Sequence, residues 1–89
     1  MQRQSVTISN KLGMHARAAA RFVQLASRFE SDIKVQRGDK EVNGKSIMGV
    51  MMLAAGKGTN IDISAAGGDE QQAIAELVTL VEERFGESE

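Results

Sequence analysis

The apolar residues of this chain recur with two different periods, and the switches between them constrain its fold more than any other feature. Ile74, Leu77, Val78, Val81 and Phe85 lie at helical spacing and form the clearest periodic stripe. Ala16, Ala19, Ala20, Val23 and Ala26 repeat that spacing earlier, widened by Phe22 and Phe29, which predicts a helix over 16–29. Ser5-Val6-Thr7-Ile8-Ser9 alternates with period two, as half-buried strands do, and so do Ile61, Ile63 and Ala65. Ile33 and Val35 mark a further strand, and Gly38-Asp39 supplies a turn into a short one around Val42. Asn43-Gly44-Lys45-Ser46 reads as a loop whose last residue caps a short helix over the apolar run Ile47 to Leu53. Gly67-Gly68 ends the last strand, Asp69 stands as the cap of the last helix, and Gln72 occupies the capping-box position. The order β-α-β-β-α-β-α with short connections predicts a small α+β sandwich with helices over one sheet face.

With 89 residues, the chain is expected to form one domain over 1–89 around a single modest core. It has no cysteine, which excludes disulfides and thiolate metal sites, and one histidine leaves no basis for a transition-metal centre. The opening Met1-Gln2-Arg3-Gln4-Ser5 leads into no apolar h-region, and Ile47 to Ala55 is far short of the ~20 residues that span a bilayer. A cytoplasmic protein without membrane insertion is therefore expected. Residues 1–45 hold nine Lys/Arg and four Asp/Glu, whereas 46–89 hold two and eight. A basic patch around Lys11, Arg17, Arg21 and Lys45 would steer an acidic partner, unless the fold mixes these charges. With a net charge of -1 and no Tyr or Trp to stack on bases, nucleic-acid binding is not expected. Gly38 and Gly44 are one residue too far apart for a P-loop, and no acid or hydroxyl stands at a diagnostic spacing for a catalytic triad.

The only histidine, His15, falls in Asn10-Lys11-Leu12-Gly13-Met14-His15-Ala16-Arg17, between a strand and a helix. A helix N-terminus presents unpaired N–H groups and a partial positive charge, here the amides of Ala16 and Arg17, which suits a phosphoryl group. It also disfavours imidazolium, keeping the nucleophilic lone pair available. Arg17 can donate a fork of hydrogen bonds to phosphate oxygens, and Gly13 allows close backbone approach. A plainer reading is that His15 caps the helix and Arg17 is a solvated charge; one His near one Arg does not separate the two.

Leu12-Gly13-Met14-His15-Ala16-Arg17 resembles the active-site motif of the HPr phosphocarriers of the bacterial phosphoenolpyruvate-dependent phosphotransferase system (PTS). Lys45-Ser46-Ile47-Met48-Gly49-Val50-Met51 resembles the family's second signature, at the matching separation from His15. The resemblance spans essentially the whole chain. It implies an HPr-like open-faced β-sandwich, with four antiparallel strands under three helices. It implies that His15 takes a phosphoryl group on Nδ1 from phosphorylated enzyme I and passes it to enzyme IIA domains, with Arg17 as the phosphate partner. No cofactor is implied, and the protein would be a carrier in a relay, not an enzyme with its own turnover. A monomer is expected, since a carrier must present one free face to successive partners. The family usually has proline where this chain has Ala18, which leaves the first helical turn freer.

Ser46 reads as an N-cap and, by the resemblance, as a regulatory site for an HPr serine kinase/phosphorylase. The family's docking surface carries over to Ala20, Arg21, Gln24, Met48, Met51 and Met52, where methionine suits a face that meets several partners. At least one of these three methionines is expected to be core. The alternative function is a regulatory docking module of the nitrogen-related PTS branch, acting by binding with His15 structural.

Overall fold

A computed structural model describes residues 1–89. Its elements are β1 (Gln2–Thr7), α1 (Ala16–Ala26), β2 (Asp32–Arg37), β3 (Lys40–Asn43), α2 (Ile47–Met52), β4 (Asn60–Ala66) and α3 (Glu70–Glu82), with a 3-10 turn over Arg84–Gly86. The strands form one antiparallel sheet in the order β1-β4-β2-β3. This is the four-stranded sheet with three helices that the sequence predicts.

Period-two burial organises the sheet. Ile61, Ile63 and Ala65 of β4, Ile33 and Val35 of β2, and Val6 of β1 all face inward. Burying each large aliphatic side chain contributes roughly 1.5–3 kcal/mol. Against them pack Ala18, Ala19, Phe22, Val23 and Ala26 of α1 and Ala73, Ile74, Leu77, Val78 and Val81 of α3. The other sheet face is polar: Arg3 donates to Asp62 at 2.9 Å and to Gln36 at 3.0 Å, and Thr7 pairs with Asn60.

Five sequence expectations shift. Strand β1 begins at Gln2, not Ser5, because Gln2, Arg3 and Gln4 pair with Ala65, Ser64 and Ile63 through the backbone while showing no apolar alternation. Helix α1 stops at Ala26, and Phe29 enters the core from the turn that follows. Phe85 is buried but lies beyond α3, in a left-handed conformation with φ +55°. Asp69 occupies the N-cap position of α3 without a side-chain capping bond. Its carboxylate instead accepts from the amides of Glu30 and Ser31, at 2.9 and 3.0 Å, and from the Ser31 hydroxyl. Gln72 reaches forward to Glu76, and it is Glu70 that reaches back to the Gly67 amide.

These contacts hold three carboxyls below their ordinary range. The Ser31 hydroxyl and Glu30 amide act on Asp69, the Ser5 hydroxyl and Arg3 on Asp62, and the Gly67 amide on Glu70. Because the unfolded chain takes up these protons first on acidification, the associated stability is present above the ordinary carboxylate values. It is lost as pH falls through the lower folded ones. The urea midpoint should therefore decline below about pH 4. Asp69→Asn should flatten that decline; an unchanged slope would show that Asp69 is not a contributor.

Candidate functional site

The head of α1 is held by its flanks. The Met14 amide donates to the Ala55 carbonyl at 2.8 Å, and the Gly13 amide to the Asn10 carbonyl at 3.2 Å. Met14 is buried beneath the loop. Gly13 has φ +64°, and a Cβ there would lie 2.5 Å from the Ala55 carbonyl oxygen and 2.7 Å from Gly56 Cα. The glycine thus serves close packing of the 10–15 loop on residues 55–56, not an approach to the imidazole.

His15 stands at the N-cap position in extended conformation but makes no side-chain capping bond. Its ring Nε2 lies 2.5 Å from Glu87 Oε2 instead. The first intrahelical bond runs from the Ala19 amide to the His15 carbonyl at 2.8 Å. The amides of Ala16, Arg17 and Ala18 precede it and have no partner within the helix. Arg17 is exposed and lines an open groove with Lys11, His15, Ala16 and Glu87. Ala18 is fully buried in the first turn, ahead of the first intrahelical bond, so its amide is not part of the helical ladder.

Charge at this groove is mixed. Lys11 Nζ lies 3.8 Å from Glu89 Oε2, and its amide donates to the Glu89 carbonyl at 3.0 Å. Arg21 donates to the Phe85 carbonyl. Lys45 departs from the expected patch: it donates to the Phe29 carbonyl at 2.7 Å, just past the far end of α1. Eleven helical residues, about 16 Å, separate that end from His15. The patch therefore reduces to Lys11, Arg17 and Arg21, countered by Glu87 and Glu89.

Ser46 caps α2 as expected, its Oγ accepting from the Gly49 amide at 3.1 Å. Met48, Met51 and Met52 are 76%, 41% and 63% exposed, so none of the three is core, against the expectation for at least one. A six-residue helix packed through Val50 has too little inward surface to take them. Leu12 and Ile47, for which no role was expected, join them as exposed apolar residues. Of the remaining docking candidates, Ala20 is half-buried and Gln24 exposed.

Sequence reasoning missed Glu87 and Asn10. Asn10 is fully buried, and its amide nitrogen donates to the Gly13 carbonyl at 2.8 Å and to Glu87 Oε1 at 3.0 Å. Glu87 lies seventy-two positions from His15, beyond any local spacing that would link them. Partial burial pushes the Glu87 carboxyl up. The hydrogen bonds from Asn10 and His15 and the positive charge of Arg21 outweigh that, and its pKa falls below the usual range.

Residues 2–83 match the family model PTS-HPr, described as the PTS HPr component phosphorylation site. Phosphocarrier protein HPr of Neisseria meningitidis serogroup A is 53% identical over 89 residues, covering all of both chains. The crystal structure of HPr-C-His from Thermoanaerobacter tengcongensis superposes with a TM-score of 0.96 at 49% identity, again over all of both chains. The HPr dimer of the same organism gives 0.78 at 50% identity, covering 98% of this chain and 100% of that one.

Gly13→Ala should destabilise the protein by about 1–3 kcal/mol from backbone strain, plus the clash with residues 55–56. Gly38→Ala, at φ +60° with nothing within 4 Å, should cost only the strain. Equal urea midpoints for the two variants would contradict the packing role of Gly13.

Proposed function

The chain belongs to the PTS-HPr family of phosphocarriers, and from that premise we propose that His15 is the residue that carries the phosphoryl group. The observation that carries this reading is the histidine at the head of α1, beside free first-turn amides and Arg17. In the proposed step, the His15 Nδ1 lone pair forms a bond to phosphorus as the N–P bond of phosphorylated enzyme I breaks. The donor imidazole keeps that electron pair. Phosphoryl transfer asks mainly for positioning and charge stabilisation, which the Ala16 and Arg17 amides and the Arg17 guanidinium supply. The reverse sequence delivers the group to an enzyme IIA domain. The protein is a covalently loaded carrier acting as one domain in the cytoplasm, with no turnover of its own.

The docking face we assign to Ala20, Arg21, Gln24, Met48, Met51 and Met52, supported by three exposed methionines on a helix adjoining α1. Such a face suits successive partners of different sequence. We propose a monomer as the working form, with the dimeric relative as the alternative that sedimentation would reveal. Ser46 is proposed as a regulatory phosphorylation site, supported by the family motif around it.

Incubation with phosphoenolpyruvate and bacterial enzyme I should add one acid-labile phosphoryl group, read by intact mass spectrometry and absent in His15→Ala. No gain in the folded wild type would leave binding alone, as in the docking-module alternative. Ser46→Asp should keep the cap, leave stability nearly unchanged and weaken enzyme I binding about tenfold through like-charge repulsion. Unchanged affinity would remove Ser46 from the regulatory scheme.

A further inference from the structure

Beyond residue 83, where the family match ends, the chain contacts α1 and the loop before it through Arg21, Lys11, Asn10 and His15. Three consecutive residues, Arg84, Phe85 and Gly86, have φ of +57°, +55° and +79° and turn the backbone back over the head of α1. Left-handed conformations at an arginine and a phenylalanine are strained, and they persist only where the surroundings enforce them. Here the enforcement is visible. The Phe85 ring is fully buried, its carbonyl accepts from Arg21, and the Glu87 amide closes onto the Arg84 carbonyl at 2.9 Å.

The residue delivered by this turn is Glu87, and both of its carboxylate oxygens are engaged. Oε1 accepts from buried Asn10 at 3.0 Å, and Oε2 faces His15 Nε2 at 2.5 Å. Asn10 in turn is tied to the Gly13 carbonyl, so the carboxylate is braced against the same loop that presents the histidine. A carboxylate can only accept, so Nε2 must donate and therefore carries the proton. In neutral imidazole the lone pair then resides on Nδ1.

We propose that Glu87 is a positioning residue for phosphoryl transfer, fixing the His15 ring in the Nε2–H tautomer with Nδ1 as the nucleophile. The proposal rests on the carrier reading and deepens it. As Nδ1 forms its bond to phosphorus and the donor bond breaks, Nε2 keeps its proton and the ring gains positive charge. The Glu87 carboxylate balances that charge as it develops, so the contact is stronger in the transition state than before it. The arrangement parallels a buried acid that orients a catalytic histidine through its other nitrogen.

Two readouts on the full chain test this. With ring-15N-labelled histidine, NMR should report the Nε2–H tautomer in the wild type and a mixed population in Glu87→Ala. Enzyme I kinetics with this protein as the phosphoryl acceptor should show kcat lowered roughly tenfold in Glu87→Ala, with KM nearly unchanged, because the contact acts on the ring and not on docking. Glu87→Gln keeps an acceptor oxygen without the charge, so it should restore the tautomer while recovering only part of kcat. The proposal is overturned if Glu87→Ala leaves either the tautomer population or kcat where it was, or if KM alone changes. Should wild-type protein take no phosphoryl group, the carrier reading fails by itself. The tautomer measurement, which needs no enzyme I, still decides whether Glu87 orients the ring.

Discussion

Strand β4 lies between β1 and β2, and its inner face of Ile61, Ile63 and Ala65 is the surface on which the rest of the molecule is built. Both neighbours find their register by pairing with it, and a one-residue slip would turn that apolar face to water. Helix α3 packs on β1 and β4, and α1 packs beside α3, so the head of α1 inherits its position from the sheet. The loop after β1 is fixed in the same way. Ile8, fully buried, donates from its amide to Thr59 and accepts from Gly58, which ties the approach to His15 to the entry of β4.

The candidate site therefore draws on three segments far apart in sequence. Residues 10–15 present the histidine, residues 55–56 support the loop from below, and residues 84–87 close over it. None of these segments is regular secondary structure apart from the single 3-10 turn, yet each is tied by backbone or buried side-chain hydrogen bonds. Asn10 is central to this joinery. Its buried amide nitrogen serves the loop carbonyl and the Glu87 carboxylate together, at the expense of a carbonyl oxygen left without a partner.

The exposed apolar residues follow a different logic. Helix α2 is six residues long and buries only Val50, so its methionines remain at the surface by geometry and not by poor packing. The Ser46 cap and the burial of Val50 hold this short helix in place, since isolated helices of that length do not persist in water. A pliable apolar surface on a tethered helix beside α1 is compatible with partners of varied shape.

The element types, their order and the inward faces of the strands were legible in the sequence, because hydrophobic periodicity is a local consequence of backbone geometry. The placement of His15 at a helix head was legible for the same reason: the apolar stripe begins at Ala16, immediately after it. The start of β1 was not, since Gln2, Arg3 and Gln4 are held by backbone pairing that leaves no side-chain pattern. Tertiary structure alone decided which side chains meet across long separations. It took Asp69 away from its expected cap to residues 30–31, sent Lys45 to the far end of α1, and brought Glu87 to His15. Each of those choices depends on where two remote segments come to rest on the sheet, and local propensity carries no information about that distance.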